Sequence, residues 1–312
     1  MSPSRPDGSS EQEPEGLSRP FGRRLADAVA ARGPLCVGID PHVPLLERWG
    51  LPDTPDGLAR FTDTVVDALA AGVAVLKPQA AFYERHGSRG IAVLEEGVAR
   101  AREAGALVLL DAKRGDIGST MDAYADYLRP DHPMAVDALT VSPFLGPGSL
   151  QPAVDTARQH GGGLFVLART SNPDAGTFQH ARALDRPGER SVAQVVVDTV
   201  RGWNTPEWVI GDPLPDIGSV RDAASRFGAT LGSFGVVVGA TLRELDVELA
   251  GLGGPVLAPG LGAQGGSPAD LRRLFGPGTA VVPTVSRDVL AAGPDPAGLR
   301  AAAARWAEAL AG

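Results

Sequence analysis

The sequence predicts an α/β fold, a single (β/α)8 TIM barrel, and three observations lead to that prediction. Apolar runs of strand length recur eight times along the chain, and amphipathic segments lie between most of them. This alternation requires a parallel sheet with helices packed outside it. Eight units within about 290 residues fit a closed barrel, and no Gly-x-Gly-x-x-Gly follows the first run to indicate a dinucleotide-binding sheet. The predicted strands are residues 35–40, 73–79, 107–111, 138–142, 164–169, 234–239, 256–260 and 280–285.

Several segments between these strands have the apolar spacing of helices that cover a sheet with one face. We expect them to pack around the outside of the barrel. They are residues 57–71, 90–104, 121–128 and 242–250.

The segment between the fifth and sixth strands, residues 170–233, is too long for a single crossover. It contains Pro-rich turns and a helical pattern at residues 191–203. We therefore predict an elaborated loop and helix region between strands 5 and 6. Long loops carry specificity on barrels, so the region either shapes the substrate end or serves only to pack around Trp203 and Trp208.

Composition indicates one catalytic domain preceded by a short tail. The chain has 312 residues, 43% of them hydrophobic, which is enough to bury one large core. Residues 1–18 are rich in Ser, Pro, Glu and Gly and are predicted to be a disordered tail, which leaves residues 19–312 as the catalytic barrel. No apolar stretch is long enough for a signal peptide or a membrane span, so we expect a cytoplasmic protein without a membrane partner.

Charge and the metal-binding residue types exclude other classes of function. The formal net charge is −8 and the 29 Lys and Arg are dispersed, which argues against a nucleic-acid partner. The single cysteine, Cys36, lies in an apolar strand and is predicted to be a small core residue. The five histidines lack the spacing of metal ligands, so we predict no metal site.

The most informative motif is Asp111-Ala-Lys-Arg-Gly-Asp116, which follows an apolar run that predicts a buried parallel strand. Side chains two residues apart share a face of a strand, so Asp111 and Lys113 should project together, with Asp116 beyond the strand end. Neighbouring carboxylates keep an ammonium charged, which favours a proton donor over an amine nucleophile. The alternative is a solvated cluster of salt bridges at a strand-to-helix junction.

Two other predicted strands also end in charged residues. Lys77 ends the second apolar run, and Asp40 ends the first. A polar residue at the carboxyl end of an apolar strand is how a (β/α)8 barrel builds its active-site face. The sequence therefore predicts that Asp40, Lys77, Asp111 and Lys113 face a common site.

The last two strands are followed by features typical of phosphate binding. Strand seven leads into Pro259-Gly-Leu-Gly-Ala-Gln-Gly-Gly266, whose glycines let backbone N–H groups approach an anion. Strand eight leads into Arg287, whose guanidinium can hold two phosphate oxygens. Loops after strands seven and eight are the recurrent phosphate site of these barrels. The alternative is a tight turn beside a surface arginine.

With these residues assembled, the chain resembles the orotidine 5′-phosphate decarboxylase family from Gly33 to Ala291, and is most similar to its longer bacterial subgroup, type 2. The motifs that carry the resemblance are Leu76-Lys-Pro-Gln-Ala-Ala-Phe82, Asp111-Ala-Lys-Arg-Gly-Asp-Ile-Gly-Ser-Thr120, Ala168-Arg-Thr-Ser-Asn-Pro173, Gly235-Val-Val-Val-Gly-Ala-Thr241 and Gln264-Gly-Gly266.

The resemblance implies a set of site residues. In that family an alternating Lys-Asp-Lys-Asp network surrounds the reacting carbon, and homodimers share their sites across the interface. The partner chain would then supply Asp116 and Thr120. The implied catalytic residues are Lys77, Asp111, Lys113 and Asp116; the implied contacts are Asp40 and Thr120 to the ribose, Ser142 and Ser171 to the pyrimidine, and Gln264, Gly265, Gly266 and Arg287 to the phosphate.

The resemblance also implies the reaction. The family removes carbon dioxide from orotidine 5′-monophosphate to give uridine 5′-monophosphate, the last step of de novo UMP synthesis. It uses neither a metal nor an organic cofactor, and its partner is the nucleotide substrate.

Two other functions remain open at this point. A related sugar-phosphate lyase, such as a keto-gulonate phosphate decarboxylase, shares the Asp-x-Lys-x-x-Asp pattern but uses magnesium, and Lys77 would repel that cation. A catalytically silent phosphate-binding barrel could act as a sensor or scaffold. Retention of all four charged residues argues against it, because unused charge networks are costly.

Overall fold

The computed structural model describes residues 19–184, 190–205 and 231–311. Within them, eight strands form a closed barrel in which each strand pairs with the next in parallel and the eighth pairs with the first. The predicted barrel is therefore confirmed. The strands are β1 (Cys36–Ile39), β2 (Val75–Pro78), β3 (Leu107–Arg114), β4 (Ala138–Val141), β5 (Gly163–Arg169), β6 (Phe234–Val238), β7 (Val256–Pro259) and β8 (Val281–Val285).

The helices that the structure describes cover the barrel and close its ends. Local sequence signals begin several of them: Thr54 caps α3 by accepting from the Gly57 amide at 3.3 Å, and Ser267 and Asp270 form a capping box that begins α10. The helices are α1 (Phe21–Arg32), α2 (Val43–Arg48), α3 (Pro55–Leu69), α4 (Ala80–Glu84), α5 (Gly87–Glu103), α6 (Gly118–Ala125), α7 (Gln151–His160), α8 (Ala175–Gln179), α9 (Val192–Asn204), α10 (Pro268–Leu274), α11 (Arg287–Leu290) and α12 (Pro296–Ala311).

The amino-terminal end of the barrel is filled by apolar side chains. Phe21 and Leu25 of α1 pack with interior residues of the strands, and the Phe21 ring meets Phe165 edge-on with centroids 6.0 Å apart. A Cβ at Gly163 would lie 2.3 Å from the Phe21 ring, so this position needs glycine. Cys36 belongs to the same cluster, as predicted, and burial raises the pKa of its thiol to about 12. With this end packed, polar chemistry is left to the opposite end.

Strand β3 is longer than predicted because it bulges before it ends. Leu110 pairs with Leu139 and Arg114 pairs with Val141, so β3 uses two more residues than β4 over this stretch. Lys113 lies within the bulge with a φ of 50°, a left-handed conformation that is uncommon for a residue with a side chain. The bulge sets the direction of the motif that carries the predicted catalytic residues.

The predicted helix at residues 242–250 is wrong. The segment is irregular, although Leu242 and Val247 are buried as the apolar spacing suggested. Its backbone groups are bonded by side chains from α9 and α10 instead of by helical bonds: the Glu248 amide donates to Gln194 Oε1 at 2.7 Å, and Arg273 Nη2 donates to the Leu242 carbonyl at 3.0 Å. These tertiary partners replace the i→i−4 bonds that a helix would have made.

The region between β5 and β6 contains helices, as predicted. Helix α9 covers the predicted pattern at 191–203, and Trp203 packs edge-on against Phe234 with centroids 5.9 Å apart. Trp208 and the predicted tail at residues 1–18 lie outside the described residues. Within the described part of the chain, no helix is long and apolar enough to cross a bilayer.

Candidate active site

A cavity of about 370 Å³ opens at the carboxyl ends of the strands. Its position agrees with the active-site face of this fold, because loops after the strands surround it. Of the predicted site residues, five line this cavity: Asp40, Lys77, Asp111, Gln264 and Arg287. Lys113 joins them through its contact with Asp111.

Asp111 is the centre of the site's charge network. Lys77 Nζ donates to Asp111 Oδ2 at 2.7 Å, and Lys113 Nζ donates to Asp111 Oδ1 at 2.6 Å. The two lysines differ in exposure, because the Lys77 side chain is 6% exposed and the Lys113 side chain is 44% exposed. One ammonium is thus fixed in the barrel and the other reaches toward solvent.

The network holds Asp111 and Lys77 in their charged forms. Burial alone would raise the pKa of Asp111, but the ammonium charges of Lys77 and Lys113 outweigh it and hold that pKa well below its usual range. Burial would likewise lower the pKa of Lys77, but Asp111 and Asp40 keep it above the ordinary lysine value. At neutral pH the Lys77 ammonium therefore faces an ionised Asp111 carboxylate.

Asp116 and Thr120 do not join this network within one chain. They lie between the end of β3 and the first turn of α6, and neither lines the cavity. Asp116 Oδ1 accepts the amide of Ile117 at 2.8 Å, and Thr120 is exposed. The expected bracketing of Lys113 by two carboxylates is therefore half formed in the single chain.

Ser142 and Ser171 also lie outside the cavity wall. The Ser142 amide donates to the Arg114 carbonyl at 2.7 Å, which ties the end of β4 to the bulge of β3. Ser171 is exposed beside the end of β6, where a Cβ at Gly239 would lie 3.1 Å from its Oγ. Both serines are at the correct end of the barrel but neither touches Lys77, Asp111 or Lys113.

The glycine loop after β7 is arranged differently from the sequence expectation. Gly265 donates its amide to the Gly262 carbonyl at 2.6 Å, and Gly266 donates to the Gly260 carbonyl at 3.0 Å. These two N–H groups are bonded within the loop, and Gln264 and Arg287 are among the residues after β7 and β8 that line the cavity. The Arg287 side chain has no ion-pair partner in the described residues, which leaves its guanidinium available to an anion.

Gln79 is a member of the network that the sequence analysis did not select. In the amide orientation that satisfies its neighbours, its nitrogen donates to Asp111 Oδ2 at 2.6 Å and its oxygen accepts from Lys113 Nζ at 3.3 Å. The sequence contained a signal for this role, because Gln79 follows Lys77 by two residues at the end of the same apolar run and so shares its face.

Strand β8 brings two further polar groups that were not predicted. Thr284 Oγ1 and Ser286 Oγ are buried at the cavity without a partner among the described residues, and so is Asp40 Oδ1. Buried polar atoms without partners are costly, so their place in a cavity wall indicates a polar ligand. The sequence contained a signal for these groups, because Thr284 and Ser286 are two residues apart at the end of an apolar run.

His42 and Phe82 form an aromatic wall on the β1 and β2 side of the cavity. Their ring centroids are 4.3 Å apart in an edge-on contact, and both residues line the cavity. The contact with Phe82 holds the His42 ring at the wall of the cavity. Across the described residues, no group of three or more His, Cys, Asp or Glu is arranged to hold a metal ion.

Comparison with known families identifies this arrangement. The profile of the orotidine 5′-phosphate decarboxylase / HUMPS family matches residues 33–302, which is most of the chain. The chain belongs to this family. The charged network thus lies within the matched part of the chain, at the carboxyl ends of its strands.

Individual members of the family are close relatives. The chain is 57% identical over 288 residues to the orotidine 5′-phosphate decarboxylase of Salinispora arenicola, an alignment that covers 91% of this chain and 95% of that protein. It is 56% identical over 290 residues to the enzyme of the same name from Streptomyces coelicolor, with 92% and 96% coverage. A crystal structure from Streptomyces avermitilis, provisionally described as an orotidine 5′-phosphate decarboxylase, superposes with a TM-score of 0.84 at 53% identity, covering 96% of this chain and 98% of that one.

The ion pairs of this family member predict a pH-dependent stability change in Asp111→Asn. In the wild type, the lowered pKa of Asp111 stabilises the fold above about pH 4, and the raised pKa of Lys77 stabilises it below about pH 10.5. The variant leaves Lys77 buried with Asp40 as its remaining carboxylate, so we expect a loss of about 3 kcal/mol at pH 7. Because Lys77 can then lose its proton more easily, the loss should shrink by about 1 kcal/mol at pH 9.5.

Urea unfolding of both proteins at pH 7 and pH 9.5 measures this difference. The control is Asp67→Asn, which removes an exposed acid paired with Arg100 and should change stability little at either pH. A loss in Asp111→Asn that is the same at both pH values would contradict the described coupling to Lys77.

Proposed function

We propose that this protein is a carboxy-lyase that converts orotidine 5′-monophosphate to uridine 5′-monophosphate and carbon dioxide, the last step of de novo UMP synthesis. The observation that carries the proposal is the Lys77–Asp111–Lys113 network at the cavity, in a chain that belongs to the family. Relatives at 55–57% identity are named for this reaction, and they cover most of the chain.

The phosphate group binds between Gln264 and Arg287 in this proposal. Both side chains line the cavity on the β7 and β8 side, and the guanidinium of Arg287 can donate to two phosphate oxygens. Gly265 and Gly266 contribute by holding the loop in its left-handed turn, since Gly265 has a φ of 95°. The phosphate is thereby fixed at one edge of the cavity.

The ribose lies over β1 in the same proposal. Asp40 Oδ1 is buried without a partner and can accept from a ribose hydroxyl, while Thr120 would add a second ribose contact. Ser142 and Ser171 would contact the pyrimidine, which requires the β4 and β5 loops to close over the base. Phosphate, ribose and base would then extend from Arg287 toward Lys113.

Lys113 is the proton donor in the proposed mechanism. Loss of carbon dioxide leaves an electron pair on C6 of the pyrimidine, and no adjacent carbonyl delocalises it. An ammonium beside that carbon stabilises the developing charge and transfers one proton from Nζ to C6, which leaves a neutral amine. The 44% exposure of the Lys113 side chain lets solvent return the proton, whereas Lys77 is nearly sealed.

Asp111 and Lys77 prepare the site for that step. Asp111 would lie near the departing carboxylate and disfavour its charge, while Lys77 keeps Asp111 ionised and in place. Asp116 would add a second carboxylate beside Lys113 and complete the alternating network. None of these roles requires a metal or an organic cofactor.

Magnitudes show why the phosphate contacts belong to the mechanism. General acid catalysis supplies about 10²–10⁴-fold, roughly 3–5 kcal/mol, whereas demanding reactions require up to about 23 kcal/mol. Binding energy from phosphate and ribose must therefore help to exclude water and to hold the substrate carboxylate beside Asp111.

The family also includes sugar-phosphate lyases, and Lys77 favours the decarboxylase over them. A magnesium site at this face needs oxygen ligands. Here the Lys77 ammonium donates to Asp111 Oδ2 at 2.7 Å, so that oxygen is already bonded to a cation. A silent phosphate-binding barrel is disfavoured by the same residues, since a buried lysine paired with a carboxylate is costly to retain without use.

We further propose that the enzyme is a homodimer of the longer bacterial subgroup, type 2, and acts in the cytoplasm, with residues 19–312 as its catalytic domain. Supporting the dimer, the loops after β3, β4 and β5 expose large apolar side chains beside the site: Ile117, Phe144, Leu145 and Phe178 are 62%, 66%, 52% and 49% exposed. The Phe144 and Phe178 rings contact each other at 4.9 Å. A second copy covering this face would bring its Asp116 and Thr120 to a site that lacks them.

Direct assay of purified, chelator-treated protein tests the reaction. We expect the pyrimidine absorbance of orotidine 5′-monophosphate to change to that of the product, with the rate unaffected by the chelator. Lys77→Met should lower kcat at least about 10³-fold, because it removes a charge that holds Asp111 in place. Activity that vanished with the chelator and returned with magnesium would replace this proposal with the metal-dependent lyase.

Hybrid dimers test the shared site. Lys113→Ala and Asp116→Ala homodimers should each be severely impaired, and co-refolding them should restore about a quarter of the wild-type activity, because half of the dimers are hybrids with one intact site. The control is Lys113→Ala mixed with Asp111→Ala. These two residues contact each other within one chain, so neither site of that hybrid is intact. Hybrids verified by mass that show no activity above their parents would rule out the shared site.

A further inference from the structure

We propose that Thr140 is a positioning residue that holds the proton donor Lys113 in its working conformation, an inference that rests on the proposed function. Thr140 lies in β4, is 1% exposed and is not among the residues selected from the sequence. Its hydroxyl joins the backbone of Lys113 to the carboxylate that Lys113 also contacts through its side chain.

The hydroxyl makes two hydrogen bonds of opposite direction. Thr140 Oγ1 donates to Asp111 Oδ1 at 2.9 Å and accepts the Lys113 amide at 3.0 Å. The same Asp111 Oδ1 accepts from Lys113 Nζ at 2.6 Å. Both ends of Lys113, its amide and its ammonium, are therefore tied to one carboxylate oxygen, with Thr140 as the link on the backbone side.

The bulge of β3 explains why such a link is needed. Three residues of β3 lie between Leu110 and the next pairing at Arg114, and the Lys113 amide bonds to the Thr140 side chain instead of to a strand carbonyl. Lys113 also has a φ of 50°, which costs free energy for a residue with a side chain and persists only when its surroundings impose it. Thr140 lies opposite the bulge and supplies the acceptor that the strand does not.

A hydroxyl suits this place for reasons of chemistry. Only a group that donates and accepts at once can bond an ionised carboxylate and an amide N–H from one atom. Its single proton is directed to Asp111, which leaves its lone pairs for the amide. Valine has nearly the same shape but would leave the Lys113 amide without this acceptor and Asp111 Oδ1 with one donor fewer.

Two matched pairs of side chains at position 140 test the proposal. Threonine and valine share one methyl group, and valine has a second methyl group in place of the hydroxyl. The Thr140→Ser and Thr140→Ala variants both lack the shared methyl group and differ only in the hydroxyl. We expect Thr140→Val to lower kcat about 10- to 100-fold, because a small displacement of a reacting group is this costly. KM should change by less than about threefold, since the phosphate and ribose groups contact Arg287 and Asp40 instead.

Thr140→Ser should keep kcat within about threefold of the wild type, and Thr140→Ala should resemble Thr140→Val. A folded Thr140→Val with unchanged kcat would overturn the proposal. Equal losses in Thr140→Ser and Thr140→Val would also overturn it, because a hydroxyl at this position would then not be enough to hold Lys113 in place. If Thr140→Val does not fold, the serine and alanine variants make the same comparison.

A crystal structure of the Thr140→Val or Thr140→Ala variant gives a readout that does not depend on turnover. We expect Lys113 to leave its positive φ and its contact with Asp111, and an unchanged Lys113 would overturn the proposal. Failure of the proposed function gives a different result, since the wild-type protein itself would then not convert orotidine 5′-monophosphate.

Discussion

The placement of the Asp111 carboxylate between two ammonium groups is the interaction on which the rest of the site depends. Lys77 Nζ and Lys113 Nζ each contact one of its oxygens, at 2.7 and 2.6 Å. Their charges outweigh the cost of burial and keep the pKa of Asp111 low, and Asp111 in turn helps to keep Lys77 protonated. A fixed carboxylate with a fixed ammonium on either side is the electrostatic arrangement that a carbanion-forming step requires.

Two parts of the barrel support this arrangement, the packed amino-terminal end and the bulge in β3. Phe21 and other apolar side chains fill the amino-terminal end of the barrel, so the charged groups stand on a packed interior rather than in a water-filled channel. On the β3 side, the bulge turns Lys113 toward Asp111, and Thr140 satisfies the amide that the bulge frees. Geometry at the site thus follows from strand pairing as much as from the charged residues themselves.

The eight strands and most of the charged network could be predicted from the sequence, because buried parallel strands are continuous apolar runs and their last residues share one end of the barrel. The helix predicted at 242–250 was wrong because side chains distant in sequence bond its backbone. Thr140 was missed because its role depends on a bulge, which apolar periodicity does not report. The spacing of Gln79 from Lys77 places it on the same face, but its hydrogen bonds depend on an amide orientation that the sequence does not give. The proposed contribution of Asp116 to the site of a second copy depends on assembly, which one chain does not contain.

The most direct test of this account is a crystal structure of the protein with uridine 5′-monophosphate bound. We expect the phosphate to contact Gln264 and Arg287, and C6 of the pyrimidine to lie within about 3.5 Å of Lys113 Nζ while Lys113 still contacts Asp111. A nucleotide bound with C6 beside Lys77, or with its phosphate away from Arg287, would contradict the assignment of Lys113 as the proton donor and of Arg287 as the phosphate contact.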